Sequence, residues 1–185
     1  MTSVMNGRGD ADAGVYSGFA RFLHWTVAAC VLTMIPIGIL MNRIPAGDAQ
    51  NVFYTVHRSL GVLVLALMLV RLTYRIFNGA PAPEPTITPF QRIASQLVHL
   101  SLYALLITQA VIGWVATSAY GAAISFFGLF TVPALVEKDE TLSKTLFPIH
   151  ETIGFIIAGL LVMHIGAALY HHFVRHDGVL GRMLP

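Results

Sequence analysis

Two histidines in one long apolar run are the residues best placed to do chemistry. His150 and His164 lie fourteen positions apart within the stretch from Pro148 to Phe173. On a helix, that spacing separates them by roughly 21 Å along the axis and returns them to nearly the same face. Two imidazoles on one face, near opposite sides of a bilayer, could hold two stacked metal cofactors. The partners of these histidines must then come from other segments of the chain.

The composition indicates that those segments lie in a membrane. The chain has 185 residues, of which 56% are hydrophobic and 11% charged, whereas soluble domains carry about 25% charged residues. Its length suits a single domain surrounded by membrane lipid. A net charge of +2 without a basic run argues against a nucleic-acid partner. The single cysteine, Cys30, excludes a disulfide framework and a covalent C-x-x-C-H haem attachment.

Four apolar segments are long enough to cross a bilayer as helices. The sequence therefore predicts an all-α membrane protein, a bundle of four transmembrane helices within residues 17–185, preceded by a flexible tail over residues 1–16. The predicted spans cover about 20–41, 53–76, 94–117 and 149–173.

Local signals support these spans. Ser17 can cap the first, and Pro36 should kink that helix without ending it. Thr88 followed by Pro89 predicts the start of a helix closed by a capping box. The longest predicted loop runs from Ser118 to Phe147, and its DETLSKTLF segment is expected to form a short amphipathic helix.

The distribution of Lys and Arg predicts the orientation, because cytoplasmic loops are enriched in these residues. One side of the predicted bundle holds seven: Arg8, Arg21, Arg71, Arg75, Arg92, Arg175 and Arg182. The other side holds four: Arg43, Arg58, Lys138 and Lys144. Both termini are therefore expected in the cytoplasm.

That topology places four histidines at two depths. His57 and His150 fall at the outer ends of spans two and four, whereas His24 and His164 fall toward the inner ends of spans one and four. A charged group inside a membrane costs at least ~2.5 kcal/mol and is a functional candidate by default. Neutral imidazole is a good ligand for haem iron, and two on facing helices fill both axial positions. The pairs His57/His150 and His24/His164 are therefore candidate haem ligands.

Small residues one helical turn after each histidine favour a flat cofactor over a compact metal. Gly61 and Gly154 follow the outer histidines by four residues, and Ala28 and Ala168 follow the inner ones. Other interpretations remain open, because taken singly His24 fits an interfacial residue, His57 a surface residue and His150 a helix-start group.

Further histidines and arginines are candidates for supporting roles. His99, near the inner end of span three, could compete as a ligand, bond across helices or contact a quinone. His171 lies seven residues after His164 on the same face and is the preferred quinone contact, whereas His172 and His176 fit lipid-headgroup contact. Arg58 and Arg71 could neutralise haem propionates, although both also fit ordinary flanking positions.

Several segments together resemble the bacterial cytochrome b561 family. They are RFLHW, VHRSLG, LVRLTYR, HLSLYALLITQAVIGW, PIHETIG, LLVMHIGAALYHHF and GVLGRMLP. The resemblance implies a four-helix inner-membrane bundle with two non-covalent b haems, whose axial ligands fall on His24, His57, His150 and His164. His171 and Arg182 match the superoxide oxidase type of this family, which implies a quinone site near them.

The leading hypothesis is a dihaem b-type cytochrome that oxidises superoxide at the periplasmic side and reduces ubiquinone at the cytoplasmic side, as a superoxide:ubiquinone oxidoreductase. One alternative is a haem-bearing electron-transfer subunit that docks to a periplasmic redox protein or dehydrogenase and is inactive alone. A second alternative is a structural bundle without haem.

Overall fold

The computed structural model describes residues 14–184 as a bundle of four long helices. They are α1 (Gly18–Leu40), α2 (Asp48–Asn78), α3 (Pro89–Tyr120) and α4 (Glu140–Tyr170). Each is long and apolar enough to span a membrane. Most of the predicted tail over residues 1–16 lies outside the described residues.

The predicted helix starts are confirmed. The Ser17 hydroxyl accepts a hydrogen bond from the backbone N–H of Ala20 at the start of α1. Thr88 and Gln91 form the complete capping box, with Pro89 as the first residue of α3. Pro36 lies inside α1, which continues to Leu40.

The connection between α3 and α4 differs from the predicted loop. It contains a short antiparallel hairpin, formed by β1 (Ile124–Phe126) and β2 (Phe130–Val132). The DETLSKTLF segment is not a separate amphipathic helix; it forms the cap and first turns of α4. The Asp139 carboxylate accepts the N–H of Leu142, and the helix continues through Pro148.

The hairpin is fastened to α2 by one buried serine. Ser59 is fully buried, and its hydroxyl donates to the carbonyl of Ser125 at 3.0 Å and accepts the N–H of Phe127 at 2.9 Å. We call the end of the bundle that carries this hairpin the outer end. The inner end carries a π-helical turn (His171–Arg175) and the segment that follows it.

The helices pack in chain order, α1 on α2, α2 on α3 and α3 on α4. An apolar core at mid-height draws on all four helices. It consists of Val27, Val31, Val64, Met68, Leu106 and Ile157. Ile157 of α4 lies seven residues from both His150 and His164, so this core separates the levels of the two histidines.

Candidate functional site

The outer histidines face each other across the bundle. His57 of α2 and His150 of α4 have ring centroids 6.2 Å apart and ring planes inclined by 79°. The depths read from the sequence therefore correspond to side chains that meet in the folded chain. We call His57 and His150 the outer pair.

The inner histidines repeat the arrangement below the apolar core. His24 of α1 and His164 of α4 have ring centroids 6.1 Å apart and ring planes inclined by 69°. We call them the inner pair. α4 thus supplies one histidine to each pair, and α1 and α2 supply the partners.

Both pairs suit a metal placed between two imidazoles. Metal–imidazole nitrogen bonds of about 2 Å on each side, together with the two rings, give roughly 6 Å between ring centroids. Neutral imidazole is a haem ligand in electron-transfer sites. The separations of 6.2 and 6.1 Å therefore fit bis-histidine ligation of two haems.

Two glycines that were not predicted from the sequence lie against the rings of the outer pair. A Cβ atom on Gly38 of α1 would lie 2.9 Å from His57 Cε1, and one on Gly113 of α3 would lie 2.8 Å from His150 Cε1. Both distances are below those that real Cβ atoms adopt. Each outer imidazole therefore contacts a neighbouring helix at a position where only glycine leaves room for the ring. In the sequence, the feature that could have identified them is a glycine on a neighbouring span at the same depth as each histidine.

The glycines chosen from the sequence have different surroundings. A Cβ on Gly61 would meet nothing within 4 Å, which leaves space beside His57. A Cβ on Gly154 would lie 3.3 Å from the side-chain nitrogen of Gln109. Gly61 is therefore compatible with a flat cofactor, and Gly154 accommodates Gln109.

Gln109 of α3 binds His150 twice. The His150 Nδ1–H donates to the Gln109 backbone carbonyl at 3.1 Å, and the Gln109 amide donates to the His150 backbone carbonyl at 2.7 Å. With the ring proton held on Nδ1, Nε2 keeps a lone pair that can bind a metal, as is usual for metal-ligating histidines. The Nδ1 of His57 is buried and has no hydrogen-bond partner among the described residues.

Arg71 contacts the inner pair directly. One of its guanidinium nitrogens lies 2.9 Å from His24 Nδ1, and its Nε donates to the Tyr103 hydroxyl at 2.8 Å. The guanidinium also lies 5.6 Å from the centre of the Tyr103 ring. Arg71 was predicted as a propionate contact, and in the structure its charge lies beside an inner histidine. Tyr103, on the neighbouring helix, was not singled out from the sequence.

His99 is a third histidine at the inner level. Its ring centroid lies 5.2 Å from that of His164, and its Nδ1 lies 3.3 Å from the Ser95 hydroxyl. This separation is shorter than the roughly 6 Å required for a metal between two imidazoles, so the geometry favours His24 over His99 as the partner of His164. Arg58, the other predicted propionate contact, places its guanidinium over the Tyr54 ring at 5.1 Å, one turn toward the outer end of α2.

At the inner end, His171 forms a buried pair with an aspartate. His171 Nδ1 lies 2.6 Å from Asp177 Oδ2, which also accepts Nε of Arg175 at 3.2 Å. Burial alone would raise the pKa of Asp177, but the hydrogen bonds from His171, the Val179 N–H and Arg175 together lower it. Asp177 was not selected from the sequence, because only the π-helical turn brings it back to His171.

The segment after the π-helical turn closes the inner end. Trp25, next to His24, donates its indole N–H to the Met183 carbonyl at 2.8 Å, and Arg21 donates to the Leu184 carbonyl at 2.6 Å. Arg182 donates to the carbonyls of Gly14 and Ala82. The guanidinium predicted to contact quinone therefore binds backbone carbonyls of two other segments.

Comparisons with known proteins bear on what this arrangement does. The sequence model described as prokaryotic cytochrome b561 matches residues 15–185. The chain is 31% identical over 170 residues to cytochrome b561 homolog 2 of Escherichia coli, covering 91% of this chain and 90% of that protein. It is 26% identical over 170 residues to a probable superoxide oxidase CybB of Yersinia pestis, covering 92% and 96%. It is 28% identical over 178 residues to cytochrome b562 of Cereibacter sphaeroides, covering 90% and 95%.

Proposed function

We propose that this chain, which belongs to the prokaryotic cytochrome b561 family, is a dihaem cytochrome that carries electrons from a periplasmic donor to ubiquinone. Family membership establishes electron transfer, b-type haem and a multi-pass position in a bacterial membrane. The two haems, their ligands, the inner membrane and the reactants are the proposal.

The observation that carries it is the pairing of four histidines at two levels. His57 and His150 would hold an outer haem, and His24 and His164 an inner haem. Each haem would supply a one-electron carrier whose two axial positions are filled, which favours electron transfer over oxygen binding. The region between the two levels is filled by the apolar core.

The distribution of charge supports a topology with both termini in the cytoplasm, in the inner membrane. The chemistry of the inner end supports electron transfer toward the cytoplasmic side. Arg21, Arg71, Arg75, Arg92, Arg175 and Arg182 all belong to the inner half of the bundle. The buried His171–Asp177 pair lies at the same end and can hold a proton at Nδ1 beside a quinone. Ubiquinone reduction at this end requires two electrons and two protons.

The most specific form of the proposal is superoxide oxidation. Two superoxide anions would each lose one electron to become oxygen, and one ubiquinone with two protons would become ubiquinol. Two features support it, namely the similarity to a probable superoxide oxidase and the cations at the outer end, which can attract an anion. Those cations are Arg43, Arg58, Lys138 and Lys144. Lys144 is paired with Glu140 at 2.7 Å, which weakens this attraction.

The alternative is an electron-transfer subunit that receives electrons from a docked periplasmic protein. One observation favours it: the hairpin exposes the large apolar side chains of Phe127, Leu129 and Phe130 at the outer end. Such a surface can contact either a partner protein or the membrane interface.

Superoxide-dependent ubiquinone reduction by the purified single chain separates the two proposals. The enzyme proposal predicts quinol formation that stops when superoxide is removed by a dismutase and that is lost in His164→Ala. No rate above background in a preparation with full haem content would leave only the subunit alternative. Absence of a b-type band in the reduced-minus-oxidised spectrum would instead favour a structural bundle and refute both.

A further inference from the structure

We propose that Arg71 makes the inner haem site the more oxidising of the two, so that electrons move inward by preference. This inference rests on the proposed two-haem function and extends it to the direction of transfer. The two histidine pairs have similar ring separations. The difference between them lies in what contacts the ligand rings.

At the inner pair, the contact is a permanent cation. Arg71 lies 2.9 Å from His24 Nδ1, and the Tyr103 hydroxyl holds its Nε at 2.8 Å. Arginine stays protonated in proteins and can only donate hydrogen bonds. When His24 binds a metal through Nε2, its Nδ1 carries the ring proton. The guanidinium can then no longer donate to Nδ1, and its hydrogen bond to the Tyr103 hydroxyl is the contact that holds the charge near this level.

No acid neutralises that charge in the described part of the chain. The ion pairs among residues 14–184 join Lys144 to Glu140, and Asp177 to His171 and Arg175. Arg71 belongs to none of them. Its side chain is partly buried between three helices, so its field is screened less than that of a surface charge.

At the outer pair, the contact is a hydrogen-bond acceptor. His150 Nδ1–H donates to the Gln109 carbonyl at 3.1 Å. Donation to a carbonyl makes the imidazole more basic and favours the oxidised metal. Arg58, the arginine next to His57, instead turns its guanidinium onto Tyr54 toward the outer end. Among residues 14–184, no hydrogen bond or ion pair therefore joins a cation to a ligand ring of the outer pair.

These contacts act in opposite directions on reduction potential. A nearby positive charge favours the reduced iron, which carries one positive charge fewer, and a more basic ligand favours the oxidised iron. Both effects raise the inner potential relative to the outer one. An electron that enters at His57 and His150 then moves to the inner level with a favourable free energy.

A potentiometric titration of the purified haem-loaded protein, followed by its visible absorbance, tests the proposal. The wild type should give two one-electron steps. In Arg71→Gln the higher step should fall by about 59 mV or more, which corresponds to a tenfold loss in the inward equilibrium constant, while the lower step stays in place. Arg71→Lys should keep much of the higher potential because it keeps the charge. Arg92→Gln, which removes an exposed arginine from the start of α3, should move neither step.

Other results of the titration of Arg71→Gln would overturn the proposal. The proposal is overturned if Arg71→Gln moves the lower step, moves both equally, moves neither, or raises either one. A rise would mean that the Arg71 guanidinium donates to an unprotonated His24 Nδ1 and so makes this ligand more basic. If Arg71→Gln purifies with one haem, the remaining step should be the lower one, and survival of the higher one refutes the assignment. Failure of the quinone assay with intact potentials would refute the reactants but leave this inference standing.

Discussion

Replacing Gly113 with alanine should remove one haem and leave the other. The added Cβ would lie 2.8 Å from His150 Cε1, 3.2 Å from Nδ1 and 3.6 Å from Nε2. Ordinary van der Waals contact begins at 3.4 Å. To relieve the contact at Cε1 alone, the ring must move away from the added Cβ by about 0.6 Å. That retreat pulls Nδ1 away from the Gln109 carbonyl, which now lies at 3.1 Å.

The magnitude follows from the cost of overpacking. Forcing an extra methyl group into a packed site costs roughly 1–3 kcal/mol, which is about a 5–150-fold weakening of affinity. Because the ring that moves is an axial ligand of the proposed outer haem, most of that cost should appear in the binding of this haem. Gly38→Ala should act in the same way through His57, where the Cβ would lie 2.9 Å from Cε1.

The assay is the haem-to-protein ratio together with the reduced-minus-oxidised spectrum. Gly113→Ala should approach half of the wild-type haem content and keep the redox step of the inner haem. Gly159→Ala is the matched control, because its Cβ would meet nothing within 4 Å on α4. Full haem content in Gly113→Ala, or selective loss of the inner haem, would refute the reasoning.

Three further predictions concern the parts around the histidine pairs. Ser59→Ala leaves the Phe127 N–H without its acceptor, which costs about 1–3 kcal/mol, so hydrogen exchange in the hairpin should accelerate while haem content is retained; unchanged exchange would contradict this. Asp177 has a lowered pKa in the folded state, so its stabilising contribution is present above the ordinary carboxyl pKa of about 3.9 and is lost as the pH falls below it. The difference in melting temperature between wild type and Asp177→Asn should therefore be positive at pH 6 and shrink toward pH 3, and a constant difference would count against the pair with His171. Because the inner haem is assigned to His24 and His164, His99→Leu should keep both haems whereas His24→Leu should lose one, and the reverse result would exchange the roles of His99 and His24.

Much of the fold could be predicted from the sequence because it depends on local signals. The helix start at Ser17 and the capping box at Thr88 require only neighbouring residues, and the apolar lengths indicate the spans. The meeting of His57 with His150 could be anticipated because depth along a helix is nearly fixed by position once the topology is known.

The contacts that complete the site depend on how each helix is rotated about its axis. The spacing of residues along the sequence does not show how one helix is rotated relative to another. Gly61 and Gly154, on the same helices as the outer histidines, were therefore considered, whereas Gly38 and Gly113, on neighbouring helices, were missed. The same holds for Arg71, whose position at His24 depends on Tyr103 of a third helix. Asp177 was not predicted as a partner of His171, because the π-helical turn after α4 departs from the roughly 3.6-residue period of an α-helix.

The two-site account is tested most directly by counting haems in single-ligand variants. Purified wild type should hold two b-type haems per chain, and His57→Ala and His24→Ala should each hold one, with different remaining redox potentials. A wild-type chain with a single haem, or retention of both haems in either variant, would contradict the assignment of the outer and inner pairs.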